Sequence, residues 1–365
     1  MKRFVALCLM ACLCLTGCTN IFDGHYVSIT PHEEPTNAVD DQTVSAADYA
    51  QLCSALQAMT HSGVENGVIS VAQYDQAIID ADIKRAINQA MLYDPITAYA
   101  VENIEFELGT SAGLSAIAVK ISYIHDKTQI HNIRKVVDME DVKSRIALEL
   151  NRISTGIVLF VDNYEDIDLA QWVEDYASGY PESVMETPDS TVNIYPETGD
   201  SRIVELKFTY QNSRDSLRAM QTQVSPMFAA AKLYVSGDSE AREKYAQLYA
   251  FLMERFENYT LETSLTPAYS LLIHGVGDAK AFATVYSAMC RQAGLECITV
   301  GGTRNAEAWY WNIVRDGDVY YHVDLLQCSS NNAYREQTDK EMDGYVWDYS
   351  AYPVCGVPIQ AEINP

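Results

Sequence analysis

Apolar residues recur along this chain with two different periods, and the switches between them predict its elements. After Ser45, read as a helix cap, Tyr49, Leu52, Cys53 and Leu56 follow at helical spacing until Gly63. A second helix is expected from Ala72 to Tyr93, with Ile79, Ile83, Ala86, Ile87 and Ala90 on one side. The period then drops to two. Ile104, Phe106 and Leu108 alternate, a turn falls at Ser111 to Gly113, and Ile117, Val119, Ile121 and Tyr123 alternate again, which is the pattern of a hairpin. A helix near Glu140 to Ile153, a buried-type strand at Gly156 to Val161 and a helix from Asp166 come next. Val192 and Ile194, a turn at Thr198-Gly199-Asp200 and a return strand from Ile203 to Tyr210 form a second hairpin.

The two hairpins leave in similar fashion, Val119-Lys120-Ile121-Ser122-Tyr123 in one and Leu206-Lys207-Phe208-Thr209-Tyr210 in the other. Each is expected to lead into a helix, marked by Ile130 and Ile133 and by Leu217 and Met220. Residues 45–238 therefore read as an α+β region, built either from a degenerate duplicated hairpin–helix unit or from two hairpins alike by chance. His125 and His131, six apart, share no helix face and read as surface residues. A third section, 239–365, opens with a core-type stripe of Tyr245, Leu248, Tyr249, Leu252, Met253 and Phe256.

Within that section, Gly275-Val276-Gly277 precedes a helix from Phe282 to Ala293, which Gly294 ends. A strand at Cys297 to Val300, a turn at Gly301-Gly302, a strand at Trp311 to Val314, a turn at Asp316-Gly317-Asp318 and a return strand from Tyr320 to Asp324 complete the pattern. This order resembles the transglutaminase-like superfamily, whose motifs run Gly-x-Cys-x-Gly-aromatic-Ala, His-Ala-Trp-Asn-x-Val and Trp-Tyr-x-Val-Asp. Thr338 to Met342 and Tyr345 to Pro353 are similar to its closing segment. The resemblance implies a helix packed on an antiparallel sheet. It also implies acyl transfer by a cysteine at a helix N-terminus, where the dipole favours the thiolate, with a histidine to move the proton and an aspartate to orient the imidazole.

Two of the three chemical positions are substituted. The nucleophile position is Ala279, and the usual glycine two residues later is Ala281. The histidine position, three before Asn312, is Trp309, or Glu307 if the hairpin register slips. Only Asp324 matches, and neighbouring backbone or Trp N–H groups are its expected partners. Trp309, Trp311, Tyr321 and Asp324 are the candidate lining of a cleft that still binds peptide, protein or cell-wall material. Three functions follow: a binding or scaffolding protein with a silent domain, a structural protein with no ligand, or an acyl-transfer enzyme using a substitute cysteine. No metal or other cofactor is expected.

The N-terminus supplies location. Lys2 and Arg3 precede a short apolar run, Phe4 to Leu15, too short to span a bilayer and typical of a signal peptide. Leu15-Thr16-Gly17-Cys18 resembles the lipobox of bacterial lipoproteins. That resemblance implies a signal peptide at 1–17, a lipid on Cys18, export, and a tether through residue 44 on the outer face of a membrane. Removing residues 1–17 takes the net charge from −25 to −27, because only Lys2 and Arg3 are lost. Such acidity repels phosphate backbones and excludes nucleic acid as a partner. Of nine cysteines, Cys53, Cys290, Cys297, Cys328 and Cys355 remain to pair or to stay as buried thiols; none has the Cys-x-x-Cys spacing of a zinc site.

Overall fold

The computed structural model describes residues 43–258, 265–331 and 333–359. The expected leader, Cys18 and all but the last two residues of the tether lie outside the described residues. Thr43 and Val44 instead open a strand, β1 (Thr43–Ser45), parallel to β2 (Asn66–Ser70). Ser45 is therefore in a ladder rather than at a helix cap. Asp48 caps α1 (Tyr49–His61), its carboxylate accepting the Gln51 N–H at 2.9 Å. The second helix is also shorter than expected, α2 (Ile79–Tyr93), and α3 (Pro95–Ala100) follows with Pro95 in its first turn. β3 (Val101–Ser111) and β4 (Leu114–Tyr123) make the first hairpin.

The sheet order is β1-β2-β4-β3, with Leu52, Leu56, Ile69, Ile83 and Ile117 buried between sheet and helices. A second sheet repeats this arrangement. After α4 (Lys127–His131) come β5 (Arg134–Val136), α5 (Met139–Asn151), β6 (Gly156–Val161), α6 (Leu169–Gly179), β7 (Asp189–Tyr195) and β8 (Arg202–Thr209). The order is β5-β6-β8-β7, again with the first pair parallel and the others antiparallel. The elements in common precede the hairpins. The elements that follow them differ, since α4 has 5 residues and α7 (Arg214–Tyr234) has 21. The structure thus gives no support to a hairpin–helix repeat.

The remaining chain forms α8 (Ala241–Met253), β9 (Glu257–Asn258), α9 (Pro267–His274), β10 (Val276–Gly277), α10 (Ala279–Gln292), β11 (Cys297–Arg304), β12 (Glu307–Asp316), β13 (Val319–Val323), α11 (Leu325–Ser330) and β14 (Tyr345–Val346). The antiparallel sheet runs β13-β12-β11-β14. α10 is buried from Ala279 to Met289 on all but one position and through Cys290, because the sheet covers one side and α7, α8 and α9 cover the other. The expected turn at Gly301-Gly302 is absent. β11 runs straight through both glycines, and the chain reverses at Asn305-Ala306, where φ is 52° and 69°. Two successive positive φ values define the tight hairpin turn whose twist matches that of the strands. The glycines serve proximity instead: a Cβ on Gly302 would lie 2.3 Å from the Val346 carbonyl and 2.8 Å from the Trp311 ring.

Candidate functional site

Strand alternation divides the sheet into two faces. Even-numbered β12 residues face α10. Asn312 donates its amide N–H to the Ala283 carbonyl at 2.9 Å, and the Lys280 ammonium lies 5.4 Å from the centre of the Tyr310 ring. Odd-numbered residues face away, and there Trp309, Trp311 and Ile313 join Val300, Tyr345 and Trp347 in a separate apolar cluster. Asp324, which directly follows β13, lies with them.

Asp324 is 1% exposed and fully engaged. One carboxylate oxygen accepts the Gln327 backbone N–H at 3.0 Å and so caps α11. The other accepts the Trp309 indole N–H at 2.8 Å and the Tyr345 hydroxyl at 2.5 Å. The Arg304 guanidinium lies 3.6 Å from that second oxygen. It also stacks over the rings of Trp309 and Tyr345, 5.3 and 5.4 Å from their centres. Burial, reinforced by the neighbouring carboxylate, pushes the Tyr345 hydroxyl well above the usual phenol range, so it remains a donor. The indole N–H thus holds the aspartate oxygen that the family resemblance would give to an imidazole N–H. Indole has no basic nitrogen, so the pair cannot accept a proton from a nucleophile.

Ala279 is the first residue of α10 and is buried. Asp278 caps the helix, accepting the Ala281 N–H at 2.9 Å. The methyl of Ala281 is accommodated by Gly277, where a Cβ would lie only 2.7 Å from it. A methyl at position 279 has no lone pair to offer an acyl carbon.

Of the proposed cleft lining, Trp309, Trp311 and Asp324 share one sheet face and Tyr321 does not. Trp311 is fully buried and cannot stack on a ligand, and Tyr321 points to the α10 face. Trp309 keeps partial exposure beside the buried Asp324. Arg304 and Tyr345 complete the cluster, yet sequence reading gave Arg304 no part in it. The misplaced turn had set Arg304 beyond the strand.

Three of the remaining cysteines, Cys290, Cys328 and Cys355, are buried thiols. Cys328 is one helical turn from Asp324, but its sulfur is buried against the Arg335 N–H at 3.3 Å, and burial raises its thiol to about 11. Burial also raises the Cys290 and Cys355 thiols well above the ordinary value. His125 is half-buried rather than a free surface residue, stacked on Tyr99 with ring centres 4.0 Å apart.

A second relay lies on the same sheet face. The Trp311 indole N–H donates to His322 Nδ1 at 2.9 Å, and His322 Nε2 is 2.9 Å from Asp339 Oδ1. Cys355 brings its sulfur into the same group, the three ligand-type atoms all lying within 4.8 Å of one another. An imidazole that accepts at Nδ1 carries its proton on Nε2 and donates it to Asp339. That nitrogen then has no lone pair for a metal ion, so the group is a hydrogen-bond relay as it stands.

Burial lowers the His322 pKa, and the Asp339 carboxylate opposes this only in part. Below about pH 6.5, the ordinary histidine value, the unfolded chain takes up a proton that the folded chain refuses. Stability is therefore expected to fall as pH drops through 6.5 toward the lower folded value. His322→Gln should flatten that part of the profile in urea unfolding between pH 7.5 and 5.5. An unchanged slope in the variant would assign the dependence to other groups.

Residues 229–347 match the model of the transglutaminase-like superfamily, and this part of the chain is a transglutaminase-like domain. Three solved structures show looser likeness. A candidate protease from Parabacteroides distasonis shares 8% identity over 70% of this chain at a TM-score of 0.24. A candidate cysteine protease from Cytophaga hutchinsonii shares 13% over 43% of this chain and 73% of its own, at 0.25. A TGase shares 9% over 64% of this chain and 71% of its own, at 0.26. The chain spans 39% of the length of the Parabacteroides protein. Among curated proteins no match is found.

Proposed function

We propose that this is an exported lipoprotein whose transglutaminase-like domain carries no acyl-transfer chemistry and serves in binding or scaffolding of peptide, protein or cell-wall material at the cell surface. The observation that carries the reading is the Trp309 indole N–H on the Asp324 carboxylate at 2.8 Å, with Ala279 at the start of the helix that would bear the nucleophile. A catalytic triad needs a base between those two positions, and this one has a donor that holds its proton. Binding need not use the filled site. A groove of about 480 Å³ beside β6 and β8 is lined by Gln129, Asn132, Arg134 and Lys207, the two cations paired with the buried Glu149 and Glu205, and offers polar groups to a peptide.

Alkylation by iodoacetamide from pH 5 to 9, on soluble protein beginning after Cys18, tests the silent site. Cys290, Cys328 and Cys355 are expected to stay unlabelled at pH 6 in the folded protein. Rapid labelling of any cysteine at pH 6 would mean an activated thiolate, and the acyl-transfer reading would replace this one. Anchoring is tested separately. Cells fed a radiolabelled fatty acid should label the protein, and Cys18→Ala should abolish the label. Equal labelling of the variant would end the lipoprotein reading. Among the described residues no helix is long and apolar enough to cross a membrane.

A further inference from the structure

Cys290 and Cys297 stand on opposite sides of the connection between α10 and β11. Ser287 and Cys290 are three residues apart and share one helix face. Ser287 donates its hydroxyl to the carbonyl of Cys297 at 2.8 Å, so that face looks directly at the first residue of β11. The connection is drawn tight by the Leu295 N–H on the Cys290 carbonyl at 2.9 Å and by Gly294 in a left-handed conformation. From the other side, the Tyr245 hydroxyl donates to the carbonyls of Glu296 and Arg315 and pins the start of the strand. Both cysteines pack in the same apolar cluster, and the neighbouring Cys297 thiol adds to the burial that raises the Cys290 thiol. Cys290 is fully buried, while Cys297 keeps partial exposure.

We infer that Cys290 and Cys297 form an intradomain disulfide when the protein meets a disulfide oxidant. The step balances with a low-molecular-weight disulfide such as oxidised glutathione. The Cys297 thiolate attacks one glutathione sulfur and expels the other as a thiol, giving a mixed disulfide. The Cys290 thiolate then attacks the Cys297 sulfur and expels the second glutathione thiol. Two protein thiols are oxidised, one glutathione disulfide is reduced, and the two thiol protons leave on glutathione. Cys297 is the entry point because the reagent can reach it. Cys290 closes the ring because its neighbour is already beside it. The bond would tie the end of the helix that opens with Ala279 to the strand that ends with Arg304.

The chain supplies a direct readout. Trypsin cuts after Lys280, Arg291 and Arg304, so residues 281–291 and 292–304 separate, each with a single cysteine. After treatment of the folded, reduced protein with oxidised glutathione and alkylation of remaining thiols, mass spectrometry should find these two peptides joined. The joined pair is expected in at least tenfold excess over the 292–304 peptide carrying glutathione. In Cys290→Ser the same treatment should leave glutathione on Cys297. Wild-type protein in which Cys297 stays alkylated, or in which glutathione persists on it, would overturn the assignment. So would a linkage of either cysteine to Cys328, Cys355 or Cys53. The thermal midpoint should also be higher in the oxidised than in the reduced protein, and that difference should vanish in Cys297→Ser.

Discussion

Introducing Ala279→Cys together with Trp309→His is expected to produce a thiol that alkylates at pH 6 about tenfold faster than Ala279→Cys alone. The new cysteine would stand at the first position of a 14-residue helix, where the dipole favours a thiolate. The new imidazole would inherit the N–H bond to Asp324 now made by the indole. A protonated imidazole that reaches the helix start from the opposite sheet face would hold the thiolate as an ion pair and shift the pH midpoint of alkylation below the ordinary value of about 8.5. The Asp278 carboxylate capping the same helix works against this, so adding Asp278→Asn should move the midpoint lower still. Mass-spectrometric labelling rates across pH 5 to 9 decide the matter. Identical profiles for the single and double variants would mean that position 309 does not face position 279, and the assignment of both would fall.

The second large effect concerns stability. Asp324→Ala is expected to cost roughly 3–5 kcal/mol, the range for removing one partner of a buried charged network. The change strands the Trp309 N–H, the Tyr345 hydroxyl, the Gln327 N–H and the Arg304 guanidinium together. Each buried donor left alone carries a desolvation penalty, and α11 loses its cap. Asp324→Asn should cost less, since its amide oxygen can still accept. Trp309→Phe should cost about 1–2 kcal/mol, removing one donor while keeping most of the ring contact with Arg304. Urea midpoints give these values. A loss below about 1 kcal/mol for Asp324→Ala would show that the carboxylate does not hold this corner of the sheet.

Much of the fold could be read from spacing. The strands of both N-terminal hairpins and Gly156–Val161 lie where alternation and apolar runs placed them, because a half-buried sheet imposes a period of two. The errors have particular causes. β1 and β2 went unassigned, because both are short and the partners of β2, β1 and β4, are supplied from a distance. Gly301-Gly302 looks like a turn, yet both glycines are there because Val346 and Trp311 crowd the strand. The true turn at Asn305-Ala306 has an alanine at positive φ, which no propensity favours. At the site, Ala279, Trp309 and Asp324 could be named from motif order. The clamp of Arg304 between two rings could not, since it depends on β14 returning beside β11 more than forty residues later.

The placement of tryptophans has a spectroscopic consequence. Of four in the chain, Trp309, Trp311 and Trp347 sit in one cluster on one face of one sheet, and only Trp172 lies in the N-terminal region. Trp311 and Trp347 meet edge to face with ring centres 5.8 Å apart, close enough for their electronic transitions to couple. Tryptophan-selective emission of this protein therefore reports chiefly on the C-terminal sheet. The first N-terminal sheet carries no tryptophan in its core and the second only Trp172, so tryptophan melting curves will follow one part of the molecule unless a backbone signal is recorded alongside.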